Sequence, residues 1–352
     1  MKASNLLAAA AGLSLALAGA RAPAQSCGAG ETTWKNDNLT GTPAIIASVC
    51  EGDALGAVYT LPAGPLQQLQ TVQLFFGAFG QVNGLGAGVN LQVHDGVSWT
   101  GNVPTLGPKV FDLTLATGVL PLVQSHGWNA IDLSAFGVTV GHDTDDFVVV
   151  AEMVVNLSTG SCTTGWPADF TTDATSSFSC TTPLHKNLIR LSSLGEDWQD
   201  AKVATGLGFP LCPLYFNGNW ALRACSEDGD GAWTVLAGAK AGVNGLPELR
   251  ASGTLAPAAK NALYLGRARA SAPATLVFGV SQLNVAFKGG VLVPAPLLLV
   301  ALGTDLNGEL GLPFVLDASV PSGTPLVFQV WINDPAATFG LSASNGLVGV
   351  TP

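Results

Sequence analysis

The chain has 352 residues, with 24 acidic against 14 basic side chains, and only 11% of it is charged. An acidic chain repels phosphate backbones, which excludes nucleic acid as an expected partner, and 48% apolar residues exclude disorder. With 43 glycines, 21 prolines and few of the charged residues that exposed helix faces use, the composition predicts an all-β protein of short strands and tight turns.

Residues 1–24 read as an export signal. Lys2 gives a positive start, Leu6 to Ala20 is apolar, and Ala22-Pro23-Ala24 supplies small residues at the cleavage position, so the mature chain is expected to begin at Gln25. Cleavage would remove Lys2, Arg21 and no acid, taking the net charge from −10 to −12. The expected location is secreted, extracellular or on the cell surface, where disulfides persist. The longest later apolar run, Val291 to Leu302, is too short to cross a bilayer and is broken by Pro294 and Pro296, so no membrane span is expected.

The six cysteines are Cys27, Cys50, Cys162, Cys180, Cys212 and Cys225. Sequential pairing is expected: Cys27–Cys50, Cys162–Cys180 and Cys212–Cys225. Asn217-Gly218, a strong hairpin signal, lies near the middle of the last interval and would bring its two cysteines together. No Cys-x-x-Cys occurs, which argues against a metal site.

From Leu69 to Val155 the pattern is β. Val72, Leu74 and Phe76 alternate, as do Val89, Leu91 and Val93, after which Asp95-Gly96 turns the chain. Val110–Leu115 and Asn129–Leu133 are further candidate strands. Phe147–Val155 is apolar on both faces, as a covered central strand would be. Residues 156–187 are rich in Ser and Thr and read as a disulfide-tied excursion, and Trp220–Ala224 as the closing strand. The organisation expected is a jelly-roll-like β-sandwich over 25–225, a linker over 226–248 opened by the acidic, Gly-rich run Ser226–Gly231 with Trp233–Leu236 a candidate short strand within it, and a smaller sandwich over 249–352. Within that sandwich the candidate strands are Ala262–Leu265, Thr275–Val280, Leu297–Leu302, Phe314–Leu316, Leu326–Ile332 and Gly340–Ala343.

No Gly-x-Ser-x-Gly, His-Glu-x-x-His, Walker loop or dinucleotide fingerprint occurs. His94, His126, His142 and His185 have no metal-ligand spacing. Glu152 lies inside an apolar strand, where burial would raise a carboxyl's pKa as a general acid needs; solvent exposure or a local pair is the competing reading. Two acidic clusters, Asp143 with Asp145 and Asp146, and Glu227 with Asp228 and Asp230, have the oxygen chemistry of a structural calcium site, though neither completes an EF-hand loop. Sugar-binding sandwiches stack their ligands on exposed aromatic rings. Trp99, Trp166 and Trp198 are the tryptophans placed for this: after a turn, in the excursion, and among Glu196, Asp197 and Asp200. Trp220 and Trp331 fall in candidate strands and read as packing residues.

Gly289-Gly290, Leu292–Pro296, Gln329–Ala337 and Ser344–Leu347 resemble a small C-terminal β-domain that recurs on secreted proteins of planctomycete-type bacteria. The resemblance spans about residues 249–352 and implies an accessory module for sorting, anchoring or display. Val89–Gly96, Pro104–Pro108, Trp128–Leu133 and Asn219–Arg223 resemble the jelly-roll domains of bacterial surface proteins. The function expected is a secreted, non-catalytic binding or structural protein of the cell surface. An extracellular carbohydrate-binding protein is the alternative, and a glycoside hydrolase-like enzyme with a carboxylate pair is the second. The partner would be a polysaccharide or another surface protein.

Overall fold

A computed structural model describes residues 27–37, 39, 44–45, 50–61, 66–78, 85–124, 127–141, 145–156, 168–172, 185–206, 209–210, 219–228 and 232–352. Its regular structure is almost entirely antiparallel strand, packed as two sandwiches.

The first sandwich is built from β1 (Thr32–Lys35), β2 (Ala54–Thr60), β3 (Gln67–Ala78), β4 (Leu85–Asp95), β5 (Lys109–Asp112), β6 (Gly127–Asp132), β7 (Asp146–Asn156) and β8 (Leu222–Asp228). One sheet runs β1-β8-β3-β6, with β8 and β6 on opposite edges of β3; the other runs β2-β7-β4-β5. That order is the jelly roll, in which the chain passes back and forth between two facing sheets.

The core follows from alternation. Phe147, Val149, Ala151 and Met153 of β7 meet Val89, Leu91 and Val93 of β4 and Val72, Leu74 and Phe76 of β3. Each large side chain buried there contributes roughly 1.5–3 kcal/mol. Val148 and Val150 point the other way and are also buried, under Val97, Trp99, Leu106 and Trp198, so β7 is covered on both faces as its sequence indicates. In β3 a bulge at Gln70 sets Cys225 opposite Thr71 but Ser226 opposite Leu69, which lets both Leu69 and Val72 face the core.

Several expectations are corrected. Cys27 is bonded to Cys225, with the Cα atoms 5.5 Å apart, so neither Cys27–Cys50 nor Cys212–Cys225 forms. β1 lies against β8, which sets Cys27 beside Cys225, 198 positions away in the chain, and no local turn signal could reveal that. Cys50 is disulfide-bonded too; Cys162, Cys180 and Cys212 lie outside the described residues. Val110–Leu115 is not one strand. Asp112 ends β5 and caps a short helix, α1 (Leu113–Thr117), accepting from the Leu115 N–H, and Gly118 closes it in the left-handed region. Residues 168–172 of the excursion form a strand that pairs with the end of β3 and with Ala44–Ile45. β8 pairs β3 only as far as Leu74, which leaves Phe76–Ala78 open to it.

The second sandwich comprises β9 (Trp233–Leu236), β10 (Glu248–Ser252), β11 (Lys260–Gly266), β12 (Pro273–Gly279), β13 (Gln282–Phe287), β14 (Gly290–Pro294), β15 (Leu298–Gly303), β16 (Leu310–Val315), β17 (Pro325–Asn333) and β18 (Gly346–Val350). The sheet β9-β18-β17-β12-β15 faces the sheet β10-β11-β16. Trp233, Leu249, Leu263, Leu276, Phe328 and Ile332 are among its core residues. The hairpin β13–β14 folds over the outer face of the larger sheet and is pinned there by Gln329. This fully buried amide accepts from the Val293 N–H and the Trp331 indole, and donates to the carbonyls of Gly238, Val291 and Ser344.

Residues 226–248, expected as a linker, carry strand within them. Ser226–Asp228 complete β8 against β3, and β9 pairs with β18 of the second sandwich. The sandwiches touch along a seam where the Lys109 ammonium lies 3.2 Å from the Glu309 carboxylate and the Asp112 N–H donates to the Tyr264 hydroxyl at 3.2 Å.

Candidate binding cleft

Trp99 stands not in a loop but in a hairpin, Val97–Thr100 against Val103–Leu106, that follows directly on β4. Gly96, at φ 98°, makes the turn that aims the hairpin across the outer face of β2-β7-β4-β5. There the Trp99 ring stacks on the His185 imidazole, with centroids 3.9 Å apart and planes 10° from parallel. His185 takes a left-handed backbone, φ 55°, and its N–H donates to the Asp200 carboxylate at 2.7 Å. The His185 Nε2 has no hydrogen-bond partner in the protein.

Beside this stacked pair opens a cleft of about 400 Å³, lined among others by Lys35, Asn36, Thr60, Asp146 and Lys186. Asn36 fixes its floor. Its amide donates to the carbonyls of Val58 (2.9 Å) and Lys186 (3.1 Å), and Val58 N–H donates to the same Lys186 carbonyl. Trp34, at the back, packs edge-on against Phe147 and donates its indole N–H to Ser226, so it serves the core. The cleft thus combines an aromatic stack, two exposed lysines, an asparagine and one carboxylate. Chemically it suits a flat ligand with a hydroxyl or anionic rim.

The residues singled out in the sequence are distributed unevenly. Trp99 and Asp146 meet in this cleft. Trp198 packs on the same sheet face but lies under the Arg190 guanidinium, 5.2 Å from its ring centre, and does not line the cleft. Trp166, Asp143 and Asp230 lie outside the described residues. Asp145 precedes β7 and Asp228 ends β8. Among the described residues the one group of metal-ligating side chains is Cys27, Glu31 and Cys225, and its two sulfurs are bonded to each other. Glu152 is paired: Arg190 donates to one of its oxygens at 2.7 Å and Gln92 to the other at 2.9 Å. Lys35, Asn36, His185 and Lys186 escaped the sequence reading because they enter the cleft from segments about 150 residues apart.

A second cleft, of about 370 Å³, follows the seam between the sandwiches. Lys109 lies between the Asp112 and Glu309 carboxylates there, 3.7 and 3.2 Å away, while Asp305 accepts from the Asn307 and Glu309 backbone. Burial pushes the Tyr264 hydroxyl up to about 12. These groups answer one another and hold the interface. Among the described residues Asp146 is the one carboxylate lining the Trp99 cleft. The chain matches no protein-family model and none of the curated proteins.

Proposed function

We propose that this is an exported, non-catalytic binding protein that holds a polysaccharide in the Trp99 cleft. The observation that carries the reading is the Trp99–His185 stack beside Lys35, Asn36, Asp146 and Lys186. A sugar ring offers an apolar C–H face to an aromatic surface and a hydroxyl rim to amide, carboxylate and ammonium groups. Two lysines against one aspartate, on a chain of net charge −10, favour an anionic saccharide such as a uronic acid polymer. The signal-like residues 1–24 and the Cys27–Cys225 bond support an oxidising, extracytoplasmic setting. The second sandwich would be the accessory module that its sequence resemblance implies.

The test is a titration of mature protein with uronate-rich and neutral polysaccharides, followed by tryptophan fluorescence. Saturable binding to the uronate polymer is expected. Trp99→Ala should weaken it at least ~10-fold, the scale of a central aromatic contact. Lys35→Gln with Lys186→Gln should weaken it mainly at low salt. No saturable signal across the panel, or binding indifferent to Trp99→Ala, would remove the reading.

A further inference from the structure

β15 ends its sheet. It pairs with β12 on one side, and among the described residues no strand pairs with its other edge. Natural edge strands are blunted by charge, proline or a bulge. Leu298–Gly303 has none of these within it. Its flank is apolar as well: Leu297, Leu298 and Leu299 are 66%, 54% and 62% exposed, and Val280, Leu283, Val285 and Phe287 of the neighbouring turn and hairpin are also exposed. From Pro273 to Gly303 the only charge is Lys288.

We propose that the protein forms a two-fold dimer in which β15 pairs antiparallel with β15 of a second copy, joining the two larger sheets of the second sandwiches into one. Charge and area both select this occupant. An uncharged edge on an otherwise acidic chain matches another uncharged edge, and a second copy brings one. The exposed apolar groups named above amount to on the order of 600 Å², at the top of the ~300–600 Å² of a monomer's largest patch. A standard interface buries ~800 Å² per partner, about 65% of it apolar in homodimers, so the patch is the size a dimer needs. The pleat limits the register to pairings that oppose residues of one face, and the proposed dimer uses the one centred on the strand. Directly opposed residues share a face, so Val300 sits opposite the partner's Val300, and Leu299 beside the partner's Ala301. Val300 and Leu302, which pack on the core, then continue it across the axis, while Leu299 joins the hairpin on the outer side.

The experiment is light scattering with size separation on the full mature chain over a concentration series. A mass of two chains is expected at micromolar concentration. Leu299→Lys with Ala301→Lys, both on exposed positions, should raise the dissociation constant at least ~100-fold while the circular dichroism spectrum is retained. Leu306→Lys, 85% exposed and outside the patch, should leave the dimer intact. A wild-type monomer at 100-fold higher concentration would overturn the proposal, as would a dimer that survives the double substitution or one that Leu306→Lys also dissociates. A monomer that sediments with phosphatidylcholine vesicles would overturn it in favour of a lipid surface. None of these readouts involves a glycan, so this proposal and the polysaccharide reading stand or fall separately.

Discussion

His94 faces away from the jelly-roll core, yet only 6% of it is exposed, because the Trp99 hairpin folds over it. Its Nδ1 donates to the Gly107 carbonyl at 2.9 Å, and its Nε2 has no partner in the protein. Loss of solvent is the main force on its pKa, Lys109 and Arg190 add repulsion, and only the Gly107 bond opposes them; the result is a pKa of about 4 against an ordinary 6.5. The neutral ring is therefore the native form. Above pH 6.5 neither folded nor unfolded chain binds the proton, and the stability is fully present. As the pH falls from 6.5 toward 4 the unfolded chain takes the proton first, and stability on the order of 3 kcal/mol is lost. His94→Gln keeps a donor for Gly107 and does not titrate. Urea unfolding at pH 7 and pH 4.5 should show a smaller acid loss in this variant, and equal losses would place the titration elsewhere. At this scale the sequence was informative where chemistry is local. Trp99 stood out because it follows the Asp95-Gly96 turn, and Glu152 because an acid interrupts an apolar strand. It was silent on His185, whose role depends on a ring that reaches it from 86 positions away in the chain.

Elements were legible in proportion to their periodicity. β3, β4 and β7 announce themselves by alternation or by continuous apolar sequence, and each buries the residues that pattern selects. β13 and β14 did not, because both faces of β13 stay exposed and no alternation is needed there. α1 was misread as strand because five residues are too few to display a helical period; its cap, Asp112, was the available clue. The disulfide was misassigned for a related reason. Hairpin signals describe neighbours, whereas β1 closes the first sheet by lying against β8, the last strand of its sandwich. That geometry makes Cys27–Cys225 a large constraint on the unfolded chain. The residues are 198 apart, and the chain-entropy argument gives about 5 kcal/mol for a loop of that length, with measured values typically ~2–4 kcal/mol. Cys27→Ser with Cys225→Ser should lower the thermal midpoint by roughly 10 °C. A midpoint unchanged within a degree or two would mean that β1 is held by its pairing with β8 and Trp34 packing alone.

Two sandwiches were expected from turn spacing and from cysteines confined to the first 225 residues, and Trp233–Leu236 from its strand-like sequence, but nothing local shows that Ser226–Asp228 complete β8. An acidic, Gly-rich run signals a flexible tether when read locally; here Ser226–Asp228 belong to one sandwich and Trp233 already belongs to the other, so the tether is too short to let them drift apart. The seam then does the coupling. Lys109 bridges to Glu309, the Asp112 N–H donates to Tyr264, and Leu115 of α1 fills the space that a Cβ on Gly311 would enter, with its Cδ2 2.2 Å from that position. The half-buried Lys109–Glu309 pair adds on the order of 1 kcal/mol, and the close fit of α1 on β16 adds apolar burial beside it. Glycine at 311 is what permits it. Gly311→Trp places a ring where Leu115 sits, more than a rotamer change can absorb, and α1 must lift away. α1 meets the first core only through Leu113 and Ala116, and β16 meets the second through Leu310, Leu312 and Phe314, so the variant disturbs one edge of each core and the rest of both should remain folded. Calorimetry is therefore expected to show one cooperative transition for the native chain and two for Gly311→Trp, the disulfide-closed sandwich melting at the higher temperature. A single transition in the variant would mean that the short junction alone couples the sandwiches and that the seam contributes little to their cooperation.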